Sequence, residues 1–384
     1  MNQWNYPTAM TIGDGSLCSL PSACATHNIR HPLLVTDPGI LALPMCEQVI
    51  ALCQEAGLAL GVFSHVKSNP TGENVEQGVK AYQSGGHDGI IVLGGGSALD
   101  CGKAIALIAG QSHSLWDFED VGDNWTRADV DKIAPVIAIP TTAGTGSEVG
   151  RASVITDEDA RRKKIIFHPH MLPVQVILDP RTTIGLPPHI TAATGMDALS
   201  HSLEALCAPG YHPMAEGIAI EGIRLVRDYL PVVYQDGDNI NGRMQMLVAS
   251  SMGATAFQKG LGAMHALAHS LGALYDKHHG MLNAILMPYV IAENRHHIDE
   301  KMQRLGRYLG FGDKGTDAVL DWILALRVEL AIPHTLAEIG LNDADASRIG
   351  LMSVVDPSAG GNPILLSAAQ YSQLYLKALE GKGL

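Results

Sequence analysis

Residues 89–100 read GIIVLGGGSALD and set the fold class of the first half of the chain. The run GIIVL is short and rich in Ile and Val, which is typical of a strand buried on both faces. Three glycines follow it, and residues 98–109 then have the apolar pattern of a helix. A strand, a glycine turn and a helix in this order predict one repeat of a parallel α/β sheet.

Similar segments lie on both sides of this stretch. Residues 32–36 (PLLVT), 135–139 (PVIAI) and 174–178 (VQVIL) predict further buried strands, and residues 45–55 and 74–83 have helical spacing. After about Gly185, β-branched runs nearly vanish, and helical spacing recurs at residues 191–206, 215–229, 242–256, 261–274 and 317–330. We therefore predict an α/β domain with a parallel sheet at 1–184 and an all-helical domain at 185–384.

Composition narrows the class of partner. The chain has 384 residues, 46% of them hydrophobic, which suits two domains with large cores. Its net charge of −13 and lack of a basic run argue against nucleic acids and anionic membranes as partners. The N-terminus lacks a signal-peptide pattern, and no apolar run is long enough to span a membrane. We expect a cytoplasmic protein that assembles as a homodimer or higher homo-oligomer and keeps its six cysteines as thiols.

Two glycine-rich turns indicate a nucleotide site. Gly95, Gly96 and Ser97 follow one strand, and TTAGTGSEV (141–149), with Thr141, Thr142 and Thr145, follows another. Such turns let backbone N–H groups approach phosphates at one edge of a parallel sheet. Either turn alone could be a plain tight turn. Asp37 ends a third strand, where a carboxylate accepts hydrogen bonds from a ribose and favours NAD over NADP; its alternative role is that of a helix N-cap.

The helical half carries polar residues at spacings that suit a metal site. Asp197 and His201 are four residues apart, as are His265 and His269, and His278-His279 precedes another apolar helix. Residues four apart share a helix face, and these stretches are otherwise made of Ala, Leu, Met and Gly. The alternative is a set of hydrogen-bonded core histidines. Asp and His ligands without Cys suit a divalent cation such as Fe²⁺ or Zn²⁺.

Four blocks of sequence resemble one family. These blocks are GGGSALD (94–100), TTAGTGSEV (141–149), TAATGMDALSHSLE (191–204) and GAMHALAHSLG…HHGMLNAILMP (262–288). They are similar to those of the iron-containing, group III alcohol dehydrogenases. The resemblance implies a dehydroquinate synthase-like fold and an NAD- and metal-dependent oxidation of an alcohol to its aldehyde. Within the family, residues 150–152 and 256–262 look most like bacterial 4-hydroxybutyrate dehydrogenases, with lactaldehyde reductases and alkanol enzymes as neighbours.

The resemblance also implies roles for individual residues. The metal ligands would be Asp197, His201, His265 and His279, and His269 would lie near the nicotinamide as a proton carrier, with His278 as the alternative. The implied nucleotide contacts are Asp37, Asn69, Gly95, Gly96, Ser97, Asp100, Thr141, Thr142, Thr145 and Lys163.

The substrate is the least determined feature. Lys259 precedes His265 by six residues and Arg151 follows the second glycine-rich turn, so both are candidate contacts for the carboxylate of 4-hydroxybutyrate. The alternative is that both are ordinary surface cations. The alternatives are a general short-chain alcohol or lactaldehyde-type diol reductase, a lyase or phosphate-substrate enzyme of the same superfamily, and a non-catalytic module that binds nucleotide and metal.

Overall fold

The computed structural model describes residues 8–160 and 162–384. They form two compact units, one that ends at Ile184 and one that comprises Gly185–Leu384. Among the described residues, every helix is too short or too polar to cross a membrane.

The N-terminal unit alternates strands and helices. Its strands are β1 (Ala9–Ile12), β2 (Pro32–Val35), β3 (Gly61–Phe63), β4 (Gly89–Gly94), β5 (Val136–Pro140), β6 (Ala152–Asp157), β7 (Arg162–Phe167) and β8 (Gln175–Leu178), and its helices are α1 (Leu20–Thr26), α2 (Pro38–Leu41), α3 (Pro44–Glu55), α4 (Gly72–Ser84) and α5 (Gly96–Ile108). Among the described residues, six strands form one sheet in the order β1-β8-β5-β4-β2-β3, and every pair in it is parallel. The predicted parallel α/β sheet is confirmed.

The sequence did not predict the short helices α1 and α2, the edge strands or one strand pair of the N-terminal unit. In the edge strand β1 no residue is buried, and in the other edge strand, β3, only Phe63 is. Neither strand therefore has the continuous apolar run by which the inner strands were found. The antiparallel pair β6–β7 was also not predicted, because Arg162–Phe167 is half polar and gives no strong alternation.

One core of the N-terminal unit fills the space between the sheet and the helices α1 and α3. Ile91, Ile137 and Ile177 come from neighbouring strands and pack with Leu20 and Val49 of the helices. All five side chains are fully buried. Of the cysteines, Cys18 is exposed and the other five are buried, and all six are free thiols.

Residues 185–384 are all described, and they form helices without a β-strand. The α-helices are α6 (Pro188–Cys207), α7 (Pro213–Gln235), α8 (Ile240–Ala256), α9 (Ala263–Tyr275), α10 (His279–Tyr308), α11 (Gly315–Glu329), α12 (Ala346–Ser353) and α13 (Ala368–Glu380). The predicted helical half is confirmed, although α12 and α13 lay beyond the predicted segments.

The start of α10 lies directly against α6. A Cβ atom on Gly280 would lie 2.3 Å from the carbonyl oxygen of Ala193 and 3.2 Å from Cβ of Asp197, so only glycine fits there. This close approach brings His279, the first residue of α10, beside the middle of α6. The contact therefore joins two sequence segments that carry candidate metal ligands.

Candidate active site

Helix α6 presents three ionisable side chains on one buried face. Asp197, His201 and Glu204 follow one another at helical spacing and are 3%, 5% and 6% exposed. Burial alone would raise the pKa of Asp197, but the neighbouring His201 and His279 and a hydrogen bond from Asn283 lower it to about 2. The carboxylate is therefore ionised and surrounded by imidazoles, which is an arrangement that a cation would complete.

Side chains from α9 and α10 converge on Asp197. Possible ligand atoms of Asp197, His265 and His279 all lie within 4.8 Å of one another. Burial and the neighbouring His201 lower the pKa of His265 well below its usual value, so this imidazole is neutral and keeps a lone pair for a metal. The donor set, one carboxylate and neutral imidazoles, fits a divalent cation.

His201, the fourth expected ligand, lies outside this group of three and contacts it through its ring. Its imidazole stacks on that of His265 with 4.8 Å between the ring centroids. Among the described residues, no group bonds the buried Nδ1 atom of His201. A buried nitrogen without a partner is costly unless a ligand occupies it, which fits the expected role of His201 as a metal ligand.

Asn283 lies one turn after His279 and links the three ligands that converge. Its amide nitrogen lies 2.8 Å from Oδ1 of Asp197, 3.2 Å from Nε2 of His265 and 3.1 Å from Nε2 of His279. The side chain is fully buried. Asn283 thus marks the point toward which these three lone pairs are directed, and sequence reasoning did not identify it.

Solvent reaches the cluster from one side. The side chains of His279 and His269 are 29% and 19% exposed, whereas those of Asp197 and His265 are 4% and 1% exposed. The rings of His269 and His279 are stacked with 5.2 Å between their centroids. A small molecule that reached the ligands would therefore pass beside His269.

The two candidate proton carriers have different surroundings. Nδ1 of His269 lies 3.1 Å from a carboxylate oxygen of Asp356, which holds the ring in one orientation. The exposed residue His278 is instead the N-cap of α10, and its Nδ1 accepts a 3.4 Å hydrogen bond from the backbone N–H of Met281. His278 has a structural task, and its alternative role as proton carrier stays a prediction.

In the N-terminal unit, the two predicted glycine-rich turns touch each other. β4 pairs with β5 so that Gly94 lies opposite Pro140, and the N–H of Thr141 donates to the carbonyl of Gly94 at 3.0 Å. A Cβ atom on Gly96 would lie 2.6 Å from Cγ2 of Thr145. Both turns therefore belong to one surface at the carboxyl edge of the sheet, where nucleotides bind in folds of this kind.

Other predicted nucleotide contacts lie around this edge. The hydroxyl of Ser97 donates to the carbonyl of Ser68, and Nζ of Lys163 donates to Oδ1 of Asn69 at 2.7 Å. A Cβ atom on Gly95 would lie 3.3 Å from Oγ1 of Thr142. The structure thus joins these residues in pairs beside the two turns.

Asp37 is an N-cap and also a neighbour of the first turn. Its Oδ1 accepts hydrogen bonds from the N–H groups of Gly39 and Ile40 at 2.9 and 3.0 Å. Its Oδ2 lies 3.7 Å from where a Cβ atom on Gly94 would be. Both roles that the sequence left open are therefore compatible, since one oxygen caps α2 while the other faces the glycine turn.

Asp100 differs from the expectation of a direct nucleotide contact. Its Oδ1 accepts from the hydroxyl of Ser147 at 2.5 Å and its Oδ2 from the N–H of Val154 at 2.9 Å. The buried Lys103 lies 3.4 Å from the same carboxylate and donates to the carbonyl of Ser147 at 2.9 Å. Both oxygens of Asp100 accept hydrogen bonds within the protein, so this residue fastens the second glycine-rich turn to α5. A direct contact of Asp100 with the nucleotide stays a prediction.

Lys259, the other residue expected to contact a ligand, has its partners within the protein. Its side chain is fully buried, and its Nζ lies 2.8 Å from a carboxylate oxygen of Glu216 and 3.1 Å from the carbonyl of Leu206. The charge is already paired at the C-terminal end of α6, which argues against the expected contact of Lys259 with a substrate carboxylate. The guanidinium of Arg151 lies over the ring of Phe167, 5.6 Å from its centroid.

Sequence reasoning missed the residues that support the site. Oε2 of Glu204 lies 2.7 Å from Nδ1 of His265, Asp356 contacts His269, and Asn283 contacts three of the expected ligands. The helical phase was a usable signal for two of them, because Glu204 is seven residues after Asp197 and Asn283 four after His279. Asp356 lies 87 residues from His269 and offered no such signal.

Both units of the chain match models of one protein family. The family model "Iron-containing alcohol dehydrogenase" matches residues 7–180, and "Fe-containing alcohol dehydrogenase family, C-terminal" matches residues 191–379. 4-Hydroxybutyrate dehydrogenase of Cupriavidus necator is 38% identical over 96% of this chain and 97% of its own.

Solved structures have the same fold. A crystal structure of 1,3-propanediol oxidoreductase has a TM-score of 0.94 at 31% identity and covers 98% of this chain and 100% of its own. That of sulfoacetaldehyde reductase from Bifidobacterium kashiwanohense, in complex with NAD⁺, has a TM-score of 0.90 at 27% identity and covers 100% of both chains.

Proposed function

The chain belongs to the iron-containing alcohol dehydrogenase family, and from this we propose that it oxidises a short primary alcohol to its aldehyde, reversibly, with NAD and a divalent metal. In this proposal residues 1–184 bind the dinucleotide and residues 185–384 bind the metal. The observation that carries it is the convergence of Asp197, His265 and His279 in a buried cluster that opens to solvent beside His269.

Asp197, His201, His265 and His279 would hold the cation, for which we propose Fe²⁺, with Zn²⁺ as the alternative that the same donors accept. A divalent cation bound there acts as a Lewis acid toward the oxygen of the alcohol or aldehyde. The residues around it set the approach: because Asp197 and His265 are buried, substrate meets the cluster from the side of His279 and His269.

His269 is the proposed proton acceptor for the substrate hydroxyl. Asp356 accepts a hydrogen bond from Nδ1–H of His269, so Nε2 is the nitrogen with a free lone pair. The same carboxylate stabilises the ring when Nε2 takes up the proton. His269 then passes this proton to solvent, to which its side chain is partly exposed.

The touching turns after β4 and β5 are the proposed binding surface for the dinucleotide, which accepts the hydride. N–H groups of Gly95, Gly96 and the threonine-rich turn would bind its phosphates, and Lys163 would contact it from the β6–β7 pair. Asp37 would favour NAD over NADP, since its outward oxygen would repel a 2′-phosphate.

A short ω-hydroxy acid such as 4-hydroxybutyrate is the substrate we propose. Two relatives support it: the Cupriavidus necator protein is named for 4-hydroxybutyrate, and the Bifidobacterium protein for another short anionic substrate, sulfoacetaldehyde. The paired state of Lys259 favours the second candidate, a general short-chain alcohol or diol reductase, because it removes one of the cations expected to bind a carboxylate.

The test is NADH formation by the metal-loaded protein with 4-hydroxybutyrate, 1-butanol and 1,3-propanediol. We expect turnover with NAD⁺, its loss on chelation, and the highest kcat/KM for 4-hydroxybutyrate. A higher kcat/KM for 1-butanol would select the general alcohol reductase, and no turnover with any alcohol would contradict the proposed function.

A further inference from the structure

Glu204 is a buried carboxylate at the junction of two helices that carry candidate metal ligands. It lies on α6, is 6% exposed, and its two oxygens point at the first turn of α9. Oε2 lies 2.8 Å from the backbone nitrogen of Gly262, and Oε1 lies 2.8 Å from that of Met264. Because Gly262, the N-cap of α9, has no side chain, Glu204 caps this helix from another element.

The same carboxylate also contacts a candidate ligand. Oε2 of Glu204 lies 2.7 Å from Nδ1 of His265, whose side chain is 1% exposed. Both oxygens of Glu204 already accept hydrogen bonds from backbone N–H groups, so the carboxylate acts as an acceptor and Nδ1 carries the hydrogen. In a neutral imidazole, Nε2 then has the lone pair, and Nε2 is the atom near Asn283 at the convergence of the ligands.

We propose that Glu204 is a positioning residue of the metal centre, which fixes His265 in the tautomer whose Nε2 can bind the metal. This inference rests on the proposed function, since it assigns a role toward the metal of that site. Partners of this kind raise the basicity of a histidine ligand and orient its ring, and their loss typically weakens metal binding by about 10- to 100-fold.

Glu204→Gln is the variant with the sharpest expected effect. An amide has one acceptor and one donor end, whereas Gly262, Met264 and His265 all offer hydrogens to Glu204. If the amide NH₂ replaces Oε2, it donates to Nδ1 of His265 and places the ring hydrogen on Nε2, which then cannot bind a metal. If it replaces Oε1, it opposes the N–H of Met264 and loosens the start of α9.

The measurement is the dissociation constant of Zn²⁺, by chelator competition, for the wild-type protein and Glu204→Gln, each stripped of metal and reloaded. We expect Zn²⁺ to bind the variant about 10- to 100-fold more weakly. Asn362→Ala is the matched control, because Oδ1 of Asn362 accepts from the N–H of Ala263 at 3.2 Å and supports the same helix start without contacting Nδ1 of His265. It should lower stability and leave Zn²⁺ affinity within about threefold, which is less than 1 kcal/mol.

A double-mutant cycle separates positioning from a merely structural role. In the His265→Ala background, Glu204→Gln should cause no further loss of Zn²⁺ affinity, because the ring that it orients is gone. The Co²⁺-loaded Glu204→Gln protein should likewise have the absorption spectrum of Co²⁺-loaded His265→Ala. Additive losses, or a wild-type Zn²⁺ affinity in Glu204→Gln, would overturn the proposal.

If Glu204→Gln fails to fold, the dissociation constant of Zn²⁺ for Glu204→Asp tests the proposal instead. Its shorter carboxylate cannot reach both the start of α9 and His265, so we expect weaker binding, and wild-type affinity would overturn the proposal. A wild-type protein that binds no Zn²⁺ or Fe²⁺ would overturn this inference and the proposed function together. Wild-type metal binding with an unaffected Glu204→Gln protein would overturn this inference alone.

Discussion

Asp356 lies 3.1 Å from Nδ1 of His269, and this contact joins two residues that are 87 positions apart in the sequence. It orients an imidazole that is partly exposed beside the candidate metal ligand His279. In the proposed mechanism this pair moves the proton, whereas other residues hold the metal.

Replacement of His269 should affect turnover more than metal binding. We expect His269→Ala to lower kcat by about 100-fold or more, the usual contribution of a general base, while metal content stays at the wild-type level. Asp356→Asn should lower kcat in the same direction by a smaller factor. Steady-state kinetics and metal analysis of the same preparations test this.

His278→Asn is the control for His269, because asparagine keeps the N-cap of α10 while the imidazole is removed. We expect near wild-type kcat for this variant. A loss in His278→Asn that equals the loss in His269→Ala would identify His278 as the proton carrier instead.

Activity should require the buried metal ligands. His265→Ala should bind metal far more weakly and lose turnover, since it removes a neutral nitrogen donor from a buried site. NADH binding, measured by fluorescence, should persist because the glycine-rich turns lie in the other unit. His296→Ala, at an exposed position of α10, should retain metal and activity. Full turnover by a demonstrably metal-free His265→Ala protein would contradict the metal-dependent mechanism.

Cofactor preference should depend on the charge of Asp37. Asp37→Ser keeps an N-cap side chain for α2 and removes the carboxylate that faces Gly94. Like charges about 4 Å apart repel by about 1 kcal/mol in water and by more where solvent is partly excluded. We therefore expect the ratio of kcat/KM for NAD to that for NADP to fall by at least about fivefold. An unchanged ratio would restrict Asp37 to its capping role.

Asp100 should affect affinity for the dinucleotide without contacting it. Asp100→Asn removes the charge that faces buried Lys103 and weakens the bond to Ser147, so the second glycine-rich turn should loosen. We expect the Kd of NADH to rise by about tenfold, equivalent to about 1.4 kcal/mol, with kcat at saturating NAD nearly unchanged. Asp129→Asn, an exposed position of the same unit, should behave like the wild-type protein. A fall in kcat without a change in Kd would argue against this supporting role.

Lys259 should contribute to stability rather than to substrate choice. Lys259→Met leaves the carbonyl of Leu206 and the carboxylate of Glu216 without one of their donors in a buried place. We expect the free energy of unfolding in urea to fall by about 1–3 kcal/mol. The ratio of kcat/KM for 4-hydroxybutyrate to that for 1-butanol should not change. A selective loss with 4-hydroxybutyrate would restore the substrate contact that the sequence suggested.

Local patterns in the sequence were enough to predict the inner sheet and the helical half. The strands β2, β4, β5 and β8 are continuous apolar runs because both faces of an inner parallel strand are buried. The edge strands β1 and β3 were not predicted, because most of their residues are accessible to solvent and they therefore form no continuous apolar run. The prediction that the two glycine-rich turns lie at the same edge is confirmed, because neighbouring parallel strands end at one edge of the sheet.

Spacing along the chain was enough to identify the candidate residues of the site, because a shared helix face and a strand end follow from position in the sequence. It indicated Asp197 with His201 and the histidines of α9 and α10 as groups that need partners in an apolar interior. The partner of each charged group became known from the folded chain. Lys259 is engaged by Glu216, Asp100 by Ser147 and Val154, His265 by Glu204 and His269 by Asp356. These pairings join different helices and strands, so they depend on how the elements pack in space, and no periodicity within a single segment encodes them.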